Sequence, residues 1–143
     1  MIAEAARSLF LVFAIAVLAA PGAWARTASF QGAWLEEGQV CANVFVVAGK
    51  ALGFKRPANA FAAAFIIRGQ QLSTPLATCR IGRISPQGER QVMHLSCTTT
   101  IATDTARAVF APAQDGGLYR YSTAEGGTAT RYRRCTADAL KTH

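Results

Sequence analysis

The sequence predicts an all-β fold, either a small antiparallel up-and-down barrel or a β-sandwich of about eight strands, with two disulfides. Short apolar, β-branched runs recur between turn residues, as in small β-domains. The four cysteines are an even number, and an N-terminal export signal places them in an oxidising compartment. No linker, repeat or low-complexity tract interrupts residues 26–143, so we expect one domain there.

Residues 1–25 have the features of a cleaved signal peptide. Arg7 precedes the apolar run Leu9–Ala20, and residues 23–25 (Ala-Trp-Ala) match the small-residue pattern of a cleavage site. As a helix the run reaches only about 18 Å, whereas the apolar core of a bilayer is about 30 Å thick. A retained membrane anchor is therefore the less favoured alternative. We expect a periplasmic or secreted protein that does not span the membrane after cleavage.

The positive net charge of the chain favours anionic binding partners. The chain has 15 Lys and Arg against 8 Asp and Glu, a net charge of +7. Removal of residues 1–25 takes away Arg7 and Glu4 and leaves this net charge unchanged. Such a charge favours acidic proteins or an anionic component of the cell envelope. Nucleic acid is not expected, because the cations are scattered rather than gathered in a basic tail.

The first half of the domain contains two predicted strands and one ambiguous segment. Phe30–Leu35 and Val40–Val47 are predicted to be strands. The sequence does not decide between helix and strand for Ala60–Ile67. Its alanines favour a helix, whereas Phe65-Ile66-Ile67 followed by Gly69 favours a strand.

A hairpin is predicted from Leu76–Ile84 and Gln91–Thr99, which flank a turn at residues 85–89. If the hairpin is centred on Gly88, Cys79 lies opposite Cys97 and Ile81 lies opposite Leu95.

This register predicts the disulfides Cys79–Cys97 and Cys41–Cys135. Pairing of Cys41 with Cys79, and of Cys97 with Cys135, stays open as the alternative. A metal site would need closely spaced ligand pairs, which the chain lacks, so neither a metal nor another cofactor is expected.

The last strands suggest a candidate anion-binding site. Thr105–Ala111, Leu118–Thr123 and Thr128–Cys135 are predicted to be strands. A turn centred between residues 125 and 126 places Arg120 opposite Arg131, and Arg133 continues that face. Facing cations repel each other, and a bound phosphate or carboxylate would relieve the repulsion. The alternative is that the arginines extend into water.

The sequence offers no catalytic residues. His94 alternates with Met93 and Leu95, so we expect it on the outer surface, and no acid stands at a supporting spacing. We therefore expect a protein that is not an enzyme, with catalysis through His94 as the alternative.

Gly32-Ala33-Trp34 resembles the G-x-W element of calycin-type barrels such as lipocalins and avidins. The resemblance implies a barrel in which an arginine near the end of the last strand packs across the tryptophan. Arg134 stands at the matching position, and Arg131 or Arg133 is the alternative if the strand register differs by one residue. The chain is also distantly similar to bacterial periplasmic inhibitors of secreted metalloproteases, which share G-x-W-x-L-like residues shortly before a cysteine, here Cys41.

We therefore expect a non-enzymatic exported binding protein. The most specific form of this expected function is inhibition of an exported hydrolase of the protease or lysozyme type. The alternatives are a carrier of a small apolar ligand in the barrel, and a protein that binds an envelope anion through a basic strand face.

Overall fold

A computed structural model describes residues 15–18 and 27–141 of the chain. Apart from residues 15–18, the expected signal peptide from Met1 to Ala25 and its cleavage site lie outside the described residues. Cys41 is bonded to Cys135, and Cys79 to Cys97, which confirms the predicted pairing over its alternative. Two disulfides are compatible with an oxidising compartment.

Apart from two 3-10 helices, Ala28–Phe30 and Asp138–Leu140, the described residues form ten strands and one short α-helix. In chain order they are β1 (Gly32–Glu36), α1 (Cys41–Val44), β2 (Phe45–Ala48), β3 (Ala51–Phe54), β4 (Ala64–Arg68), β5 (Gln71–Ser73), β6 (Thr78–Gln87), β7 (Arg90–Thr98), β8 (Thr103–Pro112), β9 (Leu118–Tyr121) and β10 (Ala129–Cys135). Eight of the strands close into an antiparallel barrel in the order β1-β10-β9-β8-β7-β6-β5-β4. Each strand from β4 to β10 pairs with the next, and β1 completes the barrel between β10 and β4. The all-β prediction is confirmed, and of its two forms the chain adopts the barrel.

The segment between β1 and β4 carries α1 and the separate hairpin β2–β3. The prediction of a strand over Val40–Val47 is wrong in its first half. Cys41 and Val44 are both buried, and a spacing of three residues puts two side chains on one face only in a helical turn. The strand β2 begins at Phe45 instead. The ambiguous segment Ala60–Ile67 becomes strand from Ala64 onward.

Two apolar clusters form the core. The first fills the barrel with inward side chains, including Trp34, Phe65, Met93, Phe110 and Leu118. The second lies outside the barrel wall, where α1 and the hairpin β2–β3 pack against the outer side of β1 and β4; it includes Leu35, Cys41, Phe45, Ile66 and Cys135. The Cys41–Cys135 disulfide thus fastens the inserted segment to the last strand of the barrel.

The two ends of the barrel differ. A 3-10 helix, Ala28–Phe30, covers one end: Phe30 is buried against Phe110 with 6.1 Å between ring centroids. The Trp34 indole donates a hydrogen bond of 2.8 Å to the Phe30 carbonyl. At the opposite end, which we call the open end, four connections emerge: residues 55–63, 74–77, 99–102 and 122–128.

The hairpin β6–β7 has the expected register at its cysteines. Cys79 pairs with Cys97 and Ile81 with Leu95. The turn itself differs, since Gln87 pairs with Arg90 and leaves a two-residue loop. Between Ile84 and Ile81 the register shifts by one residue. The cysteines therefore have the pairing that a turn centred on Gly88 predicts.

The register expected for β9–β10 is wrong by one residue. Arg120 lies opposite Thr130, and Arg131 lies opposite Tyr119. The connection is longer than expected, because the N–H of Ser122 bonds the carbonyl of Thr128 at 3.0 Å and residues 123–127 form the loop between them. Arg120 therefore faces the same side as its other partner Phe110, an inward residue, while Arg131 faces outward.

Candidate binding site at the open end of the barrel

Three exposed apolar side chains stand on three of the four connections of the open end. Phe61 is 95% exposed, Leu76 is 64% exposed and Ile101 is 93% exposed. In an antiparallel meander, alternate connections emerge at the same end, so the three side chains surround one opening. We call them the apolar tips. Grouped exposed apolar residues mark surfaces for interaction.

The connections that carry the apolar tips are close in space. Ala60 and Ala62, which flank Phe61, line the same cavity as Leu76, with a volume of about 340 Å³. Leu76 also borders an adjacent depression of about 540 Å³ together with Thr100, the neighbour of Ile101.

Each of the three connections is braced by a side-chain hydrogen bond of its own. Asn59 Oδ1 accepts from the N–H of Phe61 at 3.0 Å. Thr74 Oγ1 accepts from the N–H of Ala77 at 3.0 Å, and Thr99 Oγ1 accepts from the N–H of Ala102 at 3.2 Å. Such local bonds fix turn conformations. The apolar tips are therefore held on ordered loops.

The cavity at the open end is apolar inside. Its lining includes the aromatic residues Phe65, Phe110 and Tyr132, and Phe65 lies 5.1 Å from each of the other two rings. Alanines at positions 106 and 108 of β8 leave room where larger side chains would fill it. A cavity of 340 Å³ is at the lower end of the range of small-molecule sites, roughly 300–1,000 Å³.

Two arginines, Arg107 and Arg120, line the same cavity. Both are exposed, and among the described residues neither forms a salt bridge. The open end thus combines apolar tips, an apolar interior and two cations without an acidic partner.

The other two arginines of the predicted anion site are engaged on the outer face. Arg131 pairs with Glu37 at 3.1 Å and with Asp115, and its Nη1 donates to the Tyr119 hydroxyl at 3.2 Å. Arg133 donates to the carbonyl of Gln39. Arg120 does not share their face, so the structure does not bring the three arginines together. The observed register of β9–β10 therefore does not support a single anion site formed by Arg120, Arg131 and Arg133.

The contacts around Arg131 shift two pKa values. The N–H of Gly117 bonds Asp115 at 3.1 Å and lowers the pKa of this carboxyl below 3.8; the charge of Arg131 adds to the effect. The pKa of Arg131 is raised, first by its hydrogen bond to Tyr119 and then by the charges of Asp115 and Glu37.

Trp34 and Arg134 adopt the arrangement that the G-x-W resemblance implies. They are directly paired across β1 and β10, and the guanidinium carbon of Arg134 lies 4.7 Å from the Trp34 ring centroid. Gly32 has φ +133°, and an added Cβ would meet Arg134 at 3.4 Å. Glycine at this position both adopts the backbone conformation and leaves space for the arginine.

His94 lies on the outer side of β7, half-buried, with its Nε2 3.4 Å from Arg83 Nη2. Within residues 15–18 and 27–141, no group of three or more potential metal ligands occurs. None of the helical segments in the described residues has the length and hydropathy of a membrane-spanning helix.

Sequence reasoning missed Arg107 and the apolar tips. Ile101 offered a signal, because this large apolar residue directly follows three threonines, residues 98–100, between two predicted strands. Phe61 gave none, since it lies in a segment where an apolar residue fits a helix or a strand equally well.

No known protein family, curated protein or solved structure matches this chain.

Proposed function

We propose that this protein is an exported, non-enzymatic binding protein that binds a partner protein at the open end of its barrel. The observation that carries the proposal is the set of apolar tips on three braced loops around one opening. Burial of exposed apolar side chains against a partner favours association, and ordered loops lower the entropy lost on binding.

Inhibition of an exported hydrolase is the form of this function that can be tested most directly. Small rigid domains that present ordered loops suit occupation of an enzyme cleft, because little reorganisation opposes binding. The distant resemblance to periplasmic metalloprotease inhibitors, in Gly32, Trp34 and Cys41, points in the same direction. The barrel would serve as the scaffold, and the apolar tips as the contact surface.

The experiment measures inhibition by the oxidised protein of residues 26–143 against a panel of exported proteases and lysozymes. The test variant combines Phe61→Ser, Leu76→Ser and Ile101→Ser. Val46→Ser with Val47→Ser is the matched control, because both valines are exposed on the hairpin β2–β3. We expect the test variant to lose at least tenfold in affinity and the control to bind normally. The proposal fails if no enzyme is inhibited, or if the test variant inhibits as well as the unchanged protein.

A second candidate function, carriage of a small amphiphile, is favoured by the cavity itself. Its apolar interior suits an apolar chain, and Arg107 and Arg120 suit a carboxylate or phosphate head. Native mass spectrometry with decanoate as the probe tests this function. Ala108→Trp should abolish a one-to-one complex by filling the cavity. Absence of any complex with the unchanged protein would argue against carriage.

A further inference from the structure

The strand β8 extends beyond its neighbour β9. On one side, β7 pairs with residues 103–110 of β8, from Thr103 opposite Thr98 to Phe110 opposite Gln91. On the other side, β9 pairs only with Val109–Pro112. In the described part of the chain, residues 103–108 have no strand partner on that side. The barrel wall therefore has a free strand edge, which we call the β8 edge.

Two loop hydrogen bonds identify the backbone groups that point to the β8 edge. The N–H of Ala113 bonds the carbonyl of Gly117 at 2.9 Å, so odd-numbered residues of β8 direct their backbone groups toward β9. The N–H of Thr99 bonds the carbonyl of Ala102 at 2.9 Å, so even-numbered residues direct theirs toward β7. This alternation continues along an antiparallel strand. Thr103, Thr105 and Arg107 thus present their N–H and C=O groups to the free side.

Asp104 supports this assignment independently. Its carboxylate accepts a hydrogen bond of 2.7 Å from the N–H of Thr105. That N–H would otherwise point to the free side, so the carboxylate oxygen occupies the place that a carbonyl of a neighbouring strand would take. Free edges pair readily with other strands unless something protects them.

Space and charge at the β8 edge favour an anionic occupant. A depression of about 480 Å³ is lined by Arg107 and Val109 of β8, by Arg120 and the following residues 121–124, and by Thr128 and Thr130. Arg107 and Arg120 also line the cavity of the open end. A second copy of a chain with net charge +7 would be repelled, whereas an acidic segment would be attracted.

We propose that the β8 edge binds an extended acidic segment of the partner protein, which adds to the sheet in line with β9. This proposal rests on the proposed function, and it names the kind of segment that is bound. Backbone hydrogen bonds to Thr103, to Arg107 and to the carbonyl of Thr105 supply affinity, and alternate side chains supply specificity. In the bound segment, one set of alternate side chains faces the cavity beside Ala106 and Ala108. The other set points to the opposite face of the sheet and places carboxylates near Arg107.

The experiment uses amide hydrogen exchange measured by NMR, with a blocked octapeptide of alternating Val and Glu as the probe. We expect exchange at Thr103 and Arg107 to slow at least tenfold when the peptide is added. Peptides with Lys in place of Glu, or with N-methyl groups on alternate residues, serve as controls and should have no effect. Equal protection by either control overturns the proposal, and so does protection that depends on protein concentration alone.

Substitutions test separately the contribution of the arginine charges and that of the free backbone groups of the β8 edge. Arg107→Gln with Arg120→Gln should weaken binding of the Val-Glu peptide at least tenfold, whereas Arg83→Gln, an exposed arginine on β6, should not. Asp104→Ala frees the N–H of Thr105 and should tighten binding. Unchanged affinity in both the double-arginine and Asp104 variants would overturn the assignment of the site.

The two proposals fail in different ways. If a hydrolase is inhibited but the peptide gives no protection, the inference about the β8 edge is wrong while the proposed function stands. If the peptide protects the β8 edge but no hydrolase is inhibited, the edge site stands and the inhibitory function is wrong.

Discussion

The guanidinium group of Arg134 lies over the buried indole of Trp34, 4.7 Å from the ring centroid. The two residues pair across the seam between the first and last strands of the barrel. A cation at this distance from a tryptophan face is attracted by the ring. The contact therefore links the two strands by their side chains as well as by backbone hydrogen bonds.

Arg134→Ala should lower the free energy of unfolding by about 0.5–1 kcal/mol, the usual range for an exposed cation over an aromatic ring. Urea unfolding followed by Trp fluorescence measures the change. Arg120→Ala is the control and should change stability less, because this exposed arginine lies over no aromatic ring among the residues that the structure describes. Equal losses in the two variants would contradict a specific role of the Trp34 contact.

Removal of the two disulfides should have unequal effects. Cys41 and Cys135 are 94 residues apart, and Cys79 and Cys97 are 18 apart. Because a longer closed loop restricts the unfolded chain more, the expected losses are about 4.7 kcal/mol for the long loop and about 3 kcal/mol for the short one. Pairwise Cys→Ala variants compared by urea unfolding test the order. A larger loss on removing Cys79–Cys97 would show that native packing, rather than chain entropy, determines the effect.

Asp115 should titrate below its ordinary pKa of 3.8. A carboxyl whose pKa is lowered in the folded state stabilises the protein above the unfolded-state value, and this contribution is lost as the pH falls through the folded-state pKa. An NMR titration of the carboxyl carbon measures it. Arg131→Gln should raise the pKa of Asp115 only part of the way, because the N–H of Gly117 remains. A pKa of 3.8 or above in the unchanged protein would contradict the prediction.

Arg90 should control the order of the loop between β9 and β10. Its Nη1 donates to the carbonyls of Thr123 and Gly126 at 3.0 and 2.8 Å, and its guanidinium carbon lies 3.6 Å from the Tyr121 ring centroid. Hydrogen bonds from a charged donor contribute about 1.5–3 kcal/mol each. Arg90→Ala should therefore speed amide exchange in residues 122–128 by about tenfold or more, with the barrel core unchanged. Arg83→Ala, also on the outer surface, is the control. Unchanged exchange in the loop would mean that the loop is ordered by its own turns.

The pairing of Cys79 with Cys97 could be predicted from strand alternation and the turn at Gly88. The turn is centred between Gly88 and Glu89 rather than on Gly88. The prediction still succeeded, because the register shift between Ile81 and Ile84 restores the expected pairing at the cysteines. Such a shift depends on how a long strand fits the curvature of a barrel, which one sequence does not reveal. In β9–β10 no shift compensates, so the error at the turn placed Arg120 on the wrong face.

The candidate site was less predictable than the fold. The β8 edge exists because β9 ends at Tyr121 while β8 extends back to Thr103. Its position depends on the relative lengths of two strands, and strand ends are the least certain part of a sequence-based prediction. The apolar tips depend in turn on which loops share an end of the barrel, which requires the complete strand order.

The position of β1 has a consequence for the order in which this molecule forms. β1 pairs with both β4 and β10, and Ala33 lies opposite Cys135. A chain that emerges N-terminus first, from a ribosome or a translocation channel, can form the hairpin β6–β7 and join Cys79 to Cys97 early. Cys41 must wait until β10 has emerged. Closure of the barrel and the second covalent link thus belong to the same late step, and until then β1 keeps an unpaired side that is open to other chains.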